Sequence, residues 1–276
     1  MKILFWGLWL TAFGRLYSAS AVPPDSNASA GLQTEILLHP GEAFTAYTYH
    51  KGEFFYAQNL NPYPGFAQVG LSNQLTVGLP FWEWLGRVVS LNIRWKLADQ
   101  RQHHPALAYE THYQYLPRTI DLLAGHRSLS VMRKGHNWYH HLNISRRIRP
   151  PLMVHLSAGL TYSEYLSFTL KTSTQALTET HRKTLTPDLS VGIDWRARPW
   201  ISFHATASYG STYMYIDNTA RKQQLTLGTR LAPFYASRIG FIRSFRTEVV
   251  LFAMKFGRLP HTLISPYGFL YWQWRW

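Results

Sequence analysis

Residues 267–276 end the chain with the sequence YGFLYWQWRW. Counting back from the last residue, every second side chain is large and apolar, and this set is Leu270, Trp272, Trp274 and Trp276. Because successive side chains of a β-strand point to opposite faces, a period of two predicts a strand with one apolar face. So many indoles on a soluble surface would cause aggregation, whereas a strand between lipid and water is stable with such a face.

This terminal segment resembles the closing strand of bacterial outer-membrane β-barrels, which typically ends in an aromatic residue that the insertion machinery recognises. Those barrels more often end in Phe, so Trp276 is a variant of the pattern. The resemblance implies that Leu270, Trp272, Trp274 and Trp276 form an insertion signal. It also implies the barrel-assembly machinery, outer-membrane lipids and lipopolysaccharide as partners. Only the last strand matches by motif, so a function taken from this resemblance is an analogy.

The N-terminal residues have the layout of a secretory signal peptide. Lys2 gives a positive start, residues 3–13 form an apolar run, and residues 18–21 are small enough for cleavage after Ala21. The apolar run is too short to be a spanning helix. We therefore predict a signal peptide at 1–21, a periplasmic leader rich in Pro, Ser, Asn and Ala at 22–43, and an outer-membrane barrel at 44–276.

Composition narrows the class of protein further. No later stretch offers the roughly 20 uninterrupted apolar residues of a transmembrane helix, so any membrane crossing must be made by strands. The chain has no cysteine, and a closed ladder of backbone hydrogen bonds needs no disulfide. The formal net charge is +14, but the basic residues are dispersed. We therefore expect anionic lipids or small anionic solutes as partners, and no nucleic acid.

The alternation of apolar and polar residues runs through most of the chain. In 89–97 the apolar residues Val89, Leu91, Ile93, Trp95 and Leu97 alternate with Ser90, Asn92, Arg94 and Lys96. Segments 66–79, 152–170, 189–196 and 201–209 repeat the pattern. A soluble sandwich or lipocalin-like barrel would also alternate. However, the apolar faces approach the 9–11 residues of a membrane-crossing strand, and aromatic residues gather near strand ends. The sequence thus predicts an all-β fold, a transmembrane up-and-down antiparallel β-barrel.

Turns and loops set the number of strands. Short proline-containing links at 148–151, 197–200 and 232–234 suit the periplasmic side, and long polar segments at 172–187 and 210–222 suit outer loops. The predicted passes alternate in direction, and the first runs away from the periplasm; they are 44–60, 66–79, 88–97, 106–116, 119–133, 137–147, 152–170, 187–196, 201–212, 223–231, 236–256 and 266–276. About twelve strands result. Because 116–132 alternates poorly and 44–60 can form its own hairpin, ten or fourteen strands remain alternatives.

The histidines offer no recognisable catalytic or metal-binding set. His103 and His104 lie in a polar stretch without Cys or carboxylate at ligand spacing. His140 and His141 are neighbours and would point to opposite faces of a strand. Other titratable or nucleophilic residues share the inward parity without forming a known motif; they are Glu110, His112, His155, Ser157, Asp194, Ser202, His204 and Ser208. We predict no catalytic residue, no metal ligand and no cofactor.

The inward parity also collects basic residues, namely Arg94, Lys96, Lys171, Arg196 and Arg230. A lumen lined by Arg and Lys would attract anions, so the first functional prediction is a passive channel or transport barrel that favours small anionic solutes. The alternative for these bases is pairing with Glu110, Asp194 and Glu248 in a filled interior, because twelve strands give an intermediate bore.

Two other functions stay open in the same location, the cell outer membrane. One is a barrel enzyme that acts on lipid or lipopolysaccharide. The other is a structural or adhesive barrel that does not conduct, with the segment near 172–187 binding a partner outside the cell. Since the barrel fold hosts all three functions, the fold does not choose among them.

Overall fold

The structure, a computed structural model, describes residues 45–59, 65–80, 88–101, 104–116, 120–122, 128–149, 151–171, 176–210, 222–256 and 262–275. The predicted signal peptide at 1–21 and leader at 22–43 lie outside the described residues, as do Trp276 and most of the predicted loop at 210–222. In the described part of the chain, no α-helix has the length and apolarity to cross a bilayer.

Strands make up most of the described residues. They are β1 (Glu53–Asn59), β2 (Phe66–Ser72), β3 (Leu75–Pro80), β4 (Val89–Ala98), β5 (Ala106–Leu116), β6 (Ile120–Leu122), β7 (Ser128–Arg149), β8 (Leu152–Lys171), β9 (Ala176–Arg198), β10 (Ile201–Gly210), β11 (Lys222–Leu231), β12 (Phe245–Phe256) and β13 (Thr262–Arg275). A short helix, α1 (Gly240–Ser244), precedes β12.

Twelve of these described strands form a closed antiparallel barrel. Going round the ring, the order is β5-β4-β3-β2-β1-β13-β12-β11-β10-β9-β8-β7, and pairing between β5 and β7 closes it. The short strand β6 pairs with β7. The predicted all-β, up-and-down antiparallel barrel of about twelve strands is therefore confirmed.

The pass predicted at 66–79 is wrong, because this segment is the hairpin of β2 and β3 with its turn at Asn73 and Gln74. A register shift between Gly70 and Ser72 explains why the alternation hid the turn. From Gly70 back to Phe66, each residue of β2 pairs with a residue of the same parity on β3, for example Val69 with Val77. Odd-numbered side chains therefore face outward on both strands. The apolar period therefore keeps its parity through the turn, with Asn73 as the one polar exception among the odd positions 67–79.

The prediction of two separate passes at 119–133 and 137–147 is also wrong, and this second error offsets the first in the strand count. The chain from 128 to 149 is the single strand β7. A register shift between Met132 and Lys134 marks a β-bulge, and one extra residue reverses the parity while the strand continues. The two errors cancel in the count of twelve, but they leave β4 and β5 running opposite to the predicted directions.

Three further boundaries differ from the prediction. The predicted outer loop at 172–187 is strand from Ala176 onward. The predicted tight link at 232–234 belongs to a longer connection at 232–244 that contains α1, so β12 begins at Phe245 and not at 236. The predicted first pass at 44–60 contains β1 only from Glu53. Strand residues that face water on both sides show no apolar alternation, so composition made the start of β9 resemble a loop.

The outer wall of the barrel is apolar, and much of its interior is polar. On β10, Ser202, His204 and Thr206 are buried, whereas Phe203 lies on the outer wall and is 38% exposed. On the C-terminal strand β13, Tyr271 is buried in the interior. Trp272 has the opposite parity. This inversion relative to a soluble protein confirms the two-sided chemistry that the alternation predicted.

The C-terminal strand closes the ring beside an aromatic cluster. Phe241 of α1 lies with its ring centroid 5.8 Å from that of Trp272 and 6.2 Å from that of Trp274. Phe54 of β1 lies 4.6 Å from Trp274 across the seam. These contacts hold the last strand, its neighbour β1 and the helix together at one point on the outer wall.

The outward apolar face has a limited height. On β8 it runs from Leu152 to Tyr162, and on β9 from Leu185 to Trp195. With a rise of roughly 3.3 Å per residue and the tilt of about 35–45° that is usual in barrels, either run gives a band roughly 25 Å tall. The next outward residues past Tyr162 and Leu185 are Glu164 and Lys183, which are opposite each other in the register.

Beyond this band, β7, β8 and β9 continue as a sheet, and the short strand β6 pairs with β7 at 130–132. Strands β7, β8 and β9 have 22, 20 and 23 residues, whereas β10 and β11 have 10 each. We call this continuation, which comprises residues 128–136, 164–171 and 176–183, the projecting sheet. It lies at the end of the barrel opposite to the short turns at 73–74 and 199–200; we call that other end the short-turn end.

Candidate functional site

Within the described residues, the interior holds three clusters of polar side chains, and the first surrounds Glu110 of β5. The register places Arg94 of β4 directly opposite it. Arg94 Nε and Nη2 lie 3.0 and 2.9 Å from Glu110 Oε2. Asn92 Nδ2 donates to Oε1 at 2.8 Å, and Asn143 Nδ2 donates to Oε2 at 2.7 Å. All four residues are buried, so the carboxylate has a counter-charge and two amide donors in place of water.

The second cluster joins β7, β8 and β9. Ser157 Oγ lies 3.1 Å from His141 Nδ1, and His141 Nε2 lies 3.3 Å from Asp188 Oδ2. The Thr161 hydroxyl donates to the same Asp188 oxygen. Hydroxyl, imidazole and carboxylate in this order have the arrangement of a nucleophilic triad. Ser157 and His141 are only 1% and 2% exposed, however, so the closed barrel gives a substrate no access to the hydroxyl.

A glycine makes room for this second cluster. A Cβ at Gly159 would lie 2.1 Å from the backbone oxygen of His140 and 2.9 Å from the imidazole of His141. Real Cβ contacts are never that short, so only glycine lets β8 approach the imidazole of β7 so closely. The cluster thus depends on close packing of the strands, which fits a role in holding them together.

The third cluster surrounds Arg230 of β11. Its Nη2 lies 3.9 Å from Asp194 Oδ2, and its Nε lies 3.7 Å from Glu248 Oε2. His204 Nε2 lies 3.5 Å from Glu248 Oε1. The guanidinium carbon of Arg230 also stands 5.9 Å from the centre of the Tyr271 ring, a cation–π contact that ties the cluster to the C-terminal strand.

Residues 45–50, which we call the lumen segment, lie inside the barrel ahead of β1. Ala46 N donates to Ser145 Oγ at 2.8 Å, and Tyr49 N donates to Thr76 Oγ1 at 2.9 Å. Ala46 and Tyr49 are 0% and 1% exposed. Because Ser145 is on β7 and Thr76 is on β3, the segment follows the inner wall across several strands. Inward side chains supply hydrogen bonds that its backbone would otherwise make with water.

The interior is filled with side chains as well as with the lumen segment. Tyr49, Phe55, Met153 and Tyr271 form one buried apolar cluster. Ring centroids of Phe55 lie 5.8 Å from Tyr49 and 5.4 Å from Tyr271. Bulky inward residues of this kind occupy the bore that a twelve-stranded ring would otherwise leave.

The structure separates the basic residues that the sequence predicted to line the lumen. Arg94 and Arg230 are buried in different clusters, each with carboxylates. Lys96 is partly buried, and its Nζ lies 2.7 Å from Asp99. Arg196 is half-buried near Arg230 and lines the same cavity at the short-turn end. Lys171 is the last residue of β8, and its side chain lies outside the described part.

The predicted insertion signal is placed on the C-terminal strand. Leu270, Trp272 and Trp274 share one parity of β13 and are half-buried. In the register they lie opposite Gln58, Tyr56 and Phe54 of β1.

Sequence reasoning missed the second cluster and the lumen segment. His141, Ser157 and Asp188 all have inward parity, so the alternation contained a signal for them. Their meeting depends on the register of β7, β8 and β9, which the alternation does not give. The lumen segment carries no periodic signal, because its partners are the side chains of distant strands.

A fourth cluster lies beyond the apolar band, on the projecting sheet. Glu164 accepts a hydrogen bond from the Tyr162 hydroxyl at 2.6 Å, and its other oxygen lies 2.8 Å from His181 Nε2 and 3.3 Å from Lys183 Nζ. The hydroxyl of Tyr162 and then the imidazole of His181, with Lys183 nearby, lower the pKa of Glu164 from 4.5 to about 2. The carboxylate therefore joins β8 and β9 as an ion over almost the whole pH range.

Comparisons with known proteins identify no family for this chain. No model of a protein family matches the chain, and no curated protein matches its sequence. Among the residues that the structure describes, no group of three or more His, Cys, Asp or Glu side chains is arranged to hold a metal ion.

Glu110→Gln should lower the free energy of unfolding by about 3–5 kcal/mol, because Arg94 would stay buried without its counter-charge. Urea unfolding of the protein in detergent, followed by tryptophan fluorescence, measures the loss. Combining Glu110→Gln with Arg94→Met should recover much of it, since no buried charge remains. Glu164→Gln, at a solvent-facing carboxylate, is the matched control and should change stability little. Equal stability of the single and double variants would contradict this account of the pair.

Acid should loosen the projecting sheet before it loosens the barrel. Because the pKa of Glu164 is depressed in the fold, its contribution is complete above pH 4.5 and is lost as the pH falls toward about 2. Hydrogen exchange of residues 164–166 and 180–183, corrected for the intrinsic rate at each pH, should rise across this window. Glu164→Gln should remove the pH dependence; the same dependence in that variant would show that another group is responsible.

Proposed function

We propose that this protein is an outer-membrane β-barrel with a closed lumen that serves as a structural and adhesive barrel, presenting the projecting sheet outside the cell. The observation that carries the proposal is the filled interior with its internally paired charges. The passive anion channel becomes the second candidate, and the observation in its favour is that Arg196 and Arg230 line one cavity at the short-turn end.

The outer wall supports placement in a membrane. An apolar band roughly 25 Å tall is the height found in transmembrane barrels. Trp195 on the outer wall and Trp200 in the nearby turn are 47% and 44% exposed, and Trp138 near the other edge of the band is 48% exposed. Amphipathic rings at both edges suit the two boundaries of a bilayer. A soluble barrel with this wall would expose a continuous apolar surface to water.

The interior supports a closed lumen. An open channel needs a continuous wet path, and its selectivity needs charge that is available to passing ions. Here Arg94 faces Glu110 at hydrogen-bond distance, and Arg230 stands between Asp194 and Glu248. Basic charge that is neutralised by neighbouring carboxylates gives little field for selecting anions. The lumen segment and the buried side chains of Tyr49, Phe55 and Tyr271 also occupy part of the interior.

The projecting sheet supports a role at the cell surface. It stands at the end opposite to the short turns, which in outer-membrane barrels face the periplasm. His181, Arg182 and Lys183 are consecutive and exposed, so basic groups occur on both faces of the sheet. A rigid strand platform loses less conformational entropy on binding than a disordered loop would. Its basic surface suits an acidic partner such as an anionic polysaccharide.

The closed lumen predicts silence in a planar-bilayer recording. The purified full-length protein, with insertion verified by protease protection and by the mobility shift of the folded barrel on gels, should give no steady single-channel current. Stable current steps with an anion-selective reversal potential would refute the closed lumen and support the second candidate. Detergent alone and a heat-unfolded sample are the matched blanks.

Shortening the projecting sheet should abolish adhesion without unfolding the barrel. Ser163 and Thr184 are cross-strand partners, so an Asn-Gly turn can join them in place of 164–183. Cells that display the native protein should be retained on beads coated with an anionic polysaccharide, and cells with the shortened protein should not. Arg182→Gln with Lys183→Gln should weaken retention in a full-length barrel, while Arg146→Gln on the outer wall near the other end should not. Unchanged retention in the shortened protein would refute the adhesive role.

A further inference from the structure

A cavity opens at the short-turn end of the barrel, where β9, β10, β11 and β12 meet. The cavity is partly open to its surroundings. Four of the ten residues that line it are arginines: Arg196, Arg198, Arg230 and Arg246. Asp194 is the one carboxylate among the ten, and Ser202 adds a hydroxyl.

Two of these arginines are buried and held in place. Arg230 is 5% exposed and lies between Asp194 and Glu248. Arg246 is 6% exposed, and its Nη1 donates to the backbone oxygens of Arg243 at 2.5 Å and Phe245 at 2.9 Å. Guanidinium groups fixed by their own neighbours need little reordering when a ligand arrives. They form the floor of the cavity.

The other two arginines form the rim. Arg198 is exposed and Arg196 is half-buried at the end of β9. The Arg196 backbone is tied to the neighbouring turn through a hydrogen bond from its N to Pro151 O at 2.7 Å. The cavity thus has basic groups at two depths, so an anion would meet an exposed guanidinium first and a buried one next.

The charge of the cavity is unbalanced toward the positive. Four guanidinium groups line the cavity, and Arg230 has the carboxylates of Asp194 and Glu248 at 3.9 and 3.7 Å. Basic groups therefore outnumber acidic ones by two in a partly buried site, where charges interact more strongly than in water. An anion in the cavity would offset this excess of positive charge. Phosphate oxygens match the planar fork of the guanidinium group, which donates two parallel hydrogen bonds.

The surroundings point to the edge of a bilayer. Trp200, in the turn that borders the cavity, is 44% exposed. An exposed indole beside arginines at the edge of an apolar band is the usual composition of the headgroup plane. A lipid phosphate lies in that plane, and free phosphate reaches the same opening from the water.

From these observations we infer that the cavity at the short-turn end is a binding site for a phosphate group, held by Arg196, Arg198, Arg230 and Arg246. This site is independent of the proposed surface role, because it lies at the opposite end of the barrel from the projecting sheet. A barrel that fails to adhere can still bind phosphate here, and an adhesive barrel can lack the site.

Calorimetric titration of the full-length protein in zwitterionic detergent tests the inference. One arm uses inorganic phosphate, and the other uses a short-chain phosphatidic acid below its micellar concentration. The variant Arg196→Gln with Arg198→Gln removes the rim and leaves the buried floor untouched. Arg146→Gln, an exposed arginine on the outer wall near the same end, is the matched control. Far-ultraviolet circular dichroism and the gel mobility shift establish that each variant is folded.

We expect saturable binding that weakens about tenfold or more in the rim variant and is unchanged in the control, since the two rim guanidinium groups would donate charge-assisted hydrogen bonds to the phosphate. Binding in both arms assigns the site to the phosphate group itself. Binding of the lipid alone assigns it to a headgroup, and binding of inorganic phosphate alone assigns it to a free oxyanion. Absence of saturable binding in both arms, or equal affinity of the rim variant and the control, would overturn the inference. If the double variant does not fold, Arg198→Gln alone serves, because Arg198 is exposed.

Discussion

Closure of the backbone hydrogen-bond ladder is the constraint on which the rest of this structure depends. The C-terminal strand β13 pairs with β12 on one side and with β1, the first strand of the ring, on the other, and β5 pairs with β7 where β6 departs. A ring without free edges satisfies its strand backbones internally, which is the only way for strands to cross hydrocarbon. Once the ring is closed, each strand must direct one parity outward, because a strand shifted by one residue would reverse every side chain.

The polar interior follows from that constraint. A ring that keeps its apolar side chains outside must bring its charged side chains inside, where an unpaired charge is strongly unfavourable. In the described interior, two buried arginines are paired with carboxylates. Arg94 is matched with Glu110, and Arg230 with Asp194 and Glu248. The hydroxyl groups of two other inward residues, Ser145 and Thr76, accept hydrogen bonds from the lumen segment. Residues that precede β1 therefore occupy part of the interior.

The cavity at the short-turn end differs from the rest of the interior in its charge balance. Arg94 has one carboxylate, Glu110, directly opposite it in the ladder. At the short-turn end, Arg196, Arg198 and Arg246 gather around Arg230, whose own carboxylate partners are Asp194 and Glu248. The clusters in the described interior hold strands together, whereas the arginines around the cavity also face an opening. A group that faces an opening can serve the fold and still contact a ligand.

The amino-acid sequence by itself determined the class of fold, the parity of the strands and the inward direction of Arg94, Glu110 and Arg230, because alternation is a local property of an extended backbone. The sequence also allowed the alternative that these arginines pair with inward carboxylates. The tertiary structure alone decided the rest. A register shift beside Asn73 hid a turn, and a bulge at Met132 imitated one, since both depend on which residue is opposite which. Partners in a ladder are fixed by hydrogen bonds between distant strands, so parity could tell which residues face inward but not which of them meet.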